Sequence, residues 1–243
     1  MTDAHCHVSG GDPSVRELLI GRDFVGLHPW DVESVGVVNH VHPWLSTIEG
    51  RLREQLAANS RLGVGEIGLD RLKARDISPQ MRAAFAAQLR VALEFGRPVV
   101  LHGAKCWGQV VREIIELSGL STSRPPCPSR PSSLIGPFLF HGFSRSDGLL
   151  PDIVALNGYV SVGPAVLNDH AVNYRALVKK IPLDRLLVET DRDCDPASLL
   201  NPLTGAPLSV RDVLAKTAEL RGLSPAELEA ITDANATRFW RGA

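Results

Sequence analysis

Nowhere in the 243-residue sequence does an apolar run approach the ~20 residues that span a bilayer. The N-terminus is polar and histidine-rich, so it has neither the basic start nor the apolar stretch of a secretory leader. Cysteine is sparse. Cys6, Cys106, Cys127 and Cys194 are scattered without a CxxC pair, which reads as reduced thiols rather than a disulfide framework. Neither sign of charge dominates: 26 Lys and Arg against 27 Asp and Glu leave −1, and no global field draws the chain to nucleic acid or to a membrane surface. The nucleotide fingerprints GxGxxG and GxxxxGK[ST] are missing. With 44% apolar and 22% charged residues, disorder, collagen and coiled coil are excluded. These absences predict a globular enzyme or binding protein of the cytoplasm, monomeric and without membrane association.

Short apolar, β-rich runs alternate with helical patterns. The runs are Phe24 to Leu27, Leu62 to Ile67, Pro98 to Leu101, Phe138 to Phe140, Gly158 to Val162 and Leu186 to Val188. Such stretches read as parallel strands buried on both faces. Between them, Ser78-Pro79 opens a helix whose stripe is Met81, Phe85, Leu89, Ala92 and Leu93, closed by Gly96 and Pro98. Ile48, Leu52 and Leu56 mark an earlier helix, and Val110, Val111, Ile114 and Ile115 a later one. Ser224 and Glu227 form a capping box before a last helix. Strand–helix alternation over this length predicts one α/β domain, residues 1–243, built as a (β/α)8 TIM-type barrel. A doubly wound open sheet is the alternative. No strand is legible between Asp193 and Ser209, so irregularity is expected at the eighth strand. The Ser-, Pro- and Arg-rich segment 118–137 reads as an inserted surface loop.

Most of the runs deliver a metal-ligand type to their C-terminal end. Asp3-Ala4-His5-Cys6-His7 puts two imidazoles at i and i+2, on one face of a strand, with Cys6 buried on the other. Glu66 sits in an apolar strand, His102 and His141 each end one, and Glu189-Thr190-Asp191 ends another. Each motif alone is compatible with surface or hydrogen-bonded histidine. Together they gather ligand types where barrel active sites are built. Imidazoles with carboxylates favour Zn, Mn, Fe or Ni over an all-oxygen Ca or Mg site, and six ligands suit two divalent ions sharing a carboxylate.

These motifs, in the order DAHCH, GLHPW, GEIGLD, PVVLH, HGFSRS, VSVG and LLVETD, resemble the TatD family of metal-dependent hydrolases. The resemblance implies a barrel that hydrolyses phosphodiester bonds of DNA, often from 3′ ends, with two divalent metal ions (Mg among the candidates too). It implies that His5, His7, Glu66 and Asp191 hold one ion, and that Glu66 with His102 and His141 holds the second. Asp191 would also orient or deprotonate the attacking water. His28-Pro29-Trp30 stands where many members carry His-Pro-His.

Substrate contacts are expected from Lys105, Arg145, His28 and Trp30, with Arg71, Lys73, Arg75 and Arg192 completing a cationic rim able to grip phosphate oxygens. His40, His42 and His170 read as surface residues. The alternatives are a hydrolase of amide, ester or cyclic C–N bonds on the same barrel, and a non-catalytic, metal-stabilised binding protein.

Overall fold

In the computed structural model, residues 1–32, 43–72, 75–119, 136–144 and 147–241 are described. Lys73, Arg145, His40, His42, Cys127 and most of the 118–137 insertion lie outside them.

Eight strands form the sheet: β1 Thr2–Cys6, β2 Arg16–Leu19, β3 Phe24–Val25, β4 Gly63–Asp70, β5 Val99–Ala104, β6 Phe138–Phe140, β7 Gly158–Val162 and β8 Leu186–Val188. Strands β3 to β8 pair in sequence order, all parallel, and β1 pairs β2 in parallel. A bridge from Ile20 to Phe24 joins the two groups on one side. On the other, Asp191 N donates to His5 O (3.0 Å) and His7 N to Arg192 O (2.7 Å). The ring therefore closes as a (β/α)8 barrel, as expected. The strand missing from the sequence reading is β2, not an element after Asp193. Its Arg-Glu-Leu-Leu has no β-branched residue, so nothing local marks it as a strand. The 194–208 stretch instead carries a 3₁₀ turn at Pro196–Leu199 and a bridge from Leu200 to Pro207.

The helices are α1 Pro29–Val32, α2 Pro43–Ala58, α3 Pro79–Glu94, α4 Trp107–Ser118, α5 Leu150–Ala155, α6 Val172–Val178, α7 Val210–Arg221 and α8 Pro225–Arg241. Ser78 caps α3 by accepting from Met81 N (3.0 Å), and of the expected stripe Met81, Phe85, Leu89 and Ala92 are buried in the core while Leu93 is partly buried at its edge. Ser224 and Glu227 cap α8 reciprocally. From α8, Ala236 and Phe239 join Val100, Leu139, Tyr159 and Leu187 in one apolar cluster. Two residues further along their strands than Val100, Leu139 and Leu187 stand His102, His141 and Glu189. The period of two thus puts apolar packing below and polar chemistry above on the same strand faces. No described helix is long and apolar enough to cross a membrane.

Strand β4 carries the deviation that matters. Its register with β5 slips between Val64 and Ile67, three residues against two, and Glu66 lies in that bulge. Gly68, at φ +152°, is pressed so close to β5 that a Cβ would lie 2.0 Å from His102 O. Only glycine fits there.

Candidate metal centre

All six residues expected to hold metal come together at the C-terminal ends of the strands. Glu66, buried beneath the others, faces imidazoles with both oxygens. Its Oε1 lies 2.5 Å from His141 Nε2, 2.6 Å from His102 Nδ1 and 3.7 Å from His28 Nε2. Its Oε2 lies 3.4 Å from His7 Nε2 and 3.5 Å from His5 Nε2. Asp191 Oδ1 completes the second side, 3.2 Å from His5 Nε2 and 3.9 Å from His7 Nε2. Three overlapping donor groups result: His5, Glu66 and His141; His5, His7 and Asp191; and His28, Glu66 and His102, each with ligand atoms within 4.8 Å of one another.

The chemistry of this set fits a divalent cation. His5 is fully buried, yet its Nδ1 has no hydrogen-bond partner and its Nε2 faces only the carboxylate oxygens of Asp191 and Glu66 without an aligned bond, and His141 Nδ1 is likewise without a hydrogen bond. Buried polar atoms without partners are costly. Borderline ions take mixed imidazole and carboxylate sets of this kind.

Protonation in the cluster follows from crowding. Burial, then the neighbouring His141 charge, holds His5 below the usual imidazole range. Burial also pulls on His141, but Glu66 and Asp191 outweigh it and push the ring up to about 10, so a proton there does part of a cation's work. Burial opposes ionisation of Glu66, yet His141, His102 and His28 hold it well below the carboxylate range. For Asp191, burial is likewise overcome by His141 and His5, and its pKa falls. The hydrogen bond to Glu66 raises His7.

Two acids that sequence reasoning left without a role stand behind the imidazoles, one in hydrogen-bond contact and one 3.9 Å away. Asp70 Oδ2 accepts from Trp30 Nε1 (2.6 Å) and lies 2.9 Å from His102 Nε2, so the second His102 nitrogen is fixed while Nδ1 faces Glu66. This is the carboxylate–histidine arrangement that orients metal ligands. Buried Glu189 accepts from Gly142 N (2.8 Å) and from Ser161 Oγ, and its Oε1 lies 3.9 Å from His141 Nδ1. Burial pushes its pKa up to about 7. The spacing of Glu189 two residues before Asp191 was the available signal.

The expected rim fares differently. His28 and Trp30 line a cavity of about 350 Å3 directly against Glu66, His102 and Asp191. Lys105 is exposed in the turn after β5 and lines neither cavity beside the cluster. Arg71 and Arg75 are exposed and line neither as well. Arg192 is a correction. Asp191 turns the chain at φ 50°, and the Arg192 guanidinium folds inward onto Glu17 (2.6 Å) and the Leu208 carbonyl (3.1 Å), with Asp3 3.6 Å away. It neutralises buried acids rather than meeting solvent. Cys6 is buried away from the cluster, as expected.

The comparisons decide the family. A model described as TatD related DNase matches residues 21–241. The chain belongs to the TatD family of metal-dependent hydrolases. It is 30% identical over 223 residues to the 3′-5′ ssDNA/RNA exonuclease TatD of Cronobacter sakazakii, covering 88% of this chain and 75% of that protein. It is 27% identical over 233 residues to the uncharacterized metal-dependent hydrolase YabD of Bacillus subtilis, covering 93% and 81%. Among solved structures, the TatD homologue YjjV of Escherichia coli superposes with a TM-score of 0.68 at 22% identity, over 95% of this chain and 78% of that one. As a TatD protein the chain uses divalent metal, and its barrel is that of the family.

Proposed function

We propose that this TatD protein is a two-metal phosphodiesterase that shortens single-stranded nucleic acid from its 3′ end. The observation that carries the reading is the placement of Glu66, whose two oxygens face two separate sets of imidazoles. His5, His7 and Asp191 with Glu66 would hold one ion, and His102 and His141 with Glu66 the other. Zn, Mn or Fe suits this donor set better than Mg. Divalent ions held there supply an activated water and charge stabilisation on the phosphoryl oxygens.

The chain's own residues divide the rest of the work. Asp191 is the acid with access to the cavity: its side chain is 43% exposed, against 2% for Glu66. His141 and His5 hold it below the usual carboxylate range, so it is ionised at neutral pH and placed to orient the water, or to take its proton once the ions acidify it. Asp70 holds His102, and Glu189 places a carboxylate 3.9 Å from His141 Nδ1. Trp30, held by Asp70 and edge-on to His28, walls the small cavity where a nucleobase or sugar can lie. The chain is taken to act as a monomer in the cytoplasm, and the names of its nuclease relatives favour DNA or RNA as substrate.

The test is hydrolysis of bis(p-nitrophenyl) phosphate and of a 5′-labelled single-stranded oligonucleotide by chelator-stripped protein resupplied with Mn, Zn or Mg. The expected result is turnover of both, with a ladder shortening from the 3′ end, lost in Glu66→Gln. No turnover with any ion, or undiminished turnover in the variant, contradicts the reading.

A further inference from the structure

A second cavity, of about 1000 Å3, opens beside the cluster on the β6 to β8 side and shares Asp191 with the smaller one. Its floor at that end is Glu189 and Asp191, and one wall is α6. Asn173, Ala176, Leu177 and Lys180 all line it, a spacing of three, four and seven that marks one helical face. Lys180 continues the last turn, its N–H donating to Leu177 O (2.8 Å). From Asn173 to Lys180 the groove follows the helix for about 10 Å, the axial length of about three nucleotides stacked at the ~3.4 Å per-strand rise of a B-form helix and fewer if the strand is extended. Ala176 leaves it open, while the Tyr174 hydroxyl accepts from Gly163 N (2.9 Å) and fixes the helix to the end of β7.

Charge is distributed unevenly along this groove. The end at Glu189 and Asp191 is acidic and adjoins the metal ligands. Among the described lining residues Lys180 alone carries a fixed positive charge. Its Nζ contacts Asp147 (2.5 Å), which lines the same groove from the turn before α5, and both side chains are half exposed or more, so water reaches the pair. None of the cations expected from the sequence to grip phosphate lines this groove among the described residues.

We propose that this groove carries the strand beyond the scissile phosphate, with Lys180 the contact for a phosphate one to three nucleotides away and Asp147 the internal anion that this phosphate replaces. The proposal rests on the phosphodiesterase reading and adds a subsite to it. Lys180 is a binding residue that never touches the reacting atoms, so its removal changes oligonucleotide affinity and leaves the chemistry intact. A small diester with a single phosphate does not reach it.

The experiment measures binding of a fluorescein-labelled phosphorothioate oligothymidylate to the metal-loaded protein by anisotropy across a salt series, with turnover of bis(p-nitrophenyl) phosphate followed in parallel. Lys180→Ala is expected to weaken oligonucleotide binding three- to tenfold at low salt and to flatten the dependence of log K on log salt by about 0.7, one phosphate contact on a single strand. Asp147→Asn is expected to tighten binding by about two- to fivefold, the strength of an exposed ion pair no longer competing. Turnover of the small diester should match the parent in both. Equal affinity and salt slope in parent and Lys180→Ala overturns the subsite, as does weaker binding in Asp147→Asn or a parent that binds no oligonucleotide. Failure of the parent to turn over the small diester contradicts the phosphodiesterase reading separately, while the salt slope still reports on the groove.

Discussion

Replacing Arg192 by methionine removes a guanidinium that neutralises two buried acids and leaves the volume nearly filled. Glu17 keeps hydrogen bonds from Gly10 N (2.7 Å) and Ser9 Oγ (2.5 Å), but loses its only ion-pair partner among the described residues. Asp3 retains Thr190 N (3.0 Å) and Thr190 Oγ (2.6 Å). Breaking a buried pair from one side costs about 3–5 kcal/mol, because the stranded charge stays out of water. For a chain of this length each kcal/mol lowers Tm by about 2–4 °C, so the expected fall is about 6–20 °C. Thermal unfolding followed by circular dichroism in chelator measures it without metal-linked stability. Neutralising the stranded acid in Arg192→Met/Glu17→Gln should recover part of the loss. A Tm within a degree or two of the parent, together with a selective loss of oligonucleotide binding, would refute the inward assignment and return Arg192 to the rim.

Asp70→Asn should weaken metal binding by about 10–100-fold, since the second nitrogen of His102 loses its charged partner. Competition with a chromophoric chelator measures this, and unchanged affinity would mean that Asp70 does not support His102 as a ligand. Lys105→Ala should leave oligonucleotide kcat/KM within about twofold of the parent, because an exposed residue outside both cavities has little to lose; a tenfold drop would restore it as a contact. Burial raises Asp3 to about 6 from 3.8, against the hydrogen bonds from Thr190. A raised carboxylate stabilises the fold below its unfolded pKa and loses that contribution as pH rises through the folded value. In chelator, the stability of the parent relative to Asp3→Asn should therefore decline between about pH 4 and 6, and a rising difference would reverse the sign of the argument.

The candidate ligands were legible because His102, His141 and Asp191 follow apolar runs, Glu66 interrupts one and His5 and His7 alternate along β1; the period of two then fixes which face a strand residue occupies. Val100 and His102, or Leu139 and His141, share a face whatever the loops do. What escaped was non-local. β2 reads as Arg-Glu-Leu-Leu, four residues of no strand preference, and is a strand only because β1 lies beside it. Arg192 follows the last strand and looks like a mouth residue, until the turn at Asp191 aims it at Glu17, 175 positions away. Lys180 follows a helix too short for a strong periodic signal, and its groove exists only once α6 stands beside β7.

On the proposed reading Glu66 is shared by two cations. Anomalous diffraction from a manganese-soaked crystal tests it most directly. Two peaks, about 3.5–4 Å apart, should flank the Glu66 carboxylate, one beside His5, His7 and Asp191 and the other beside His102 and His141. A single peak, or strong peaks that leave Glu66 without a cation on either side, would contradict it.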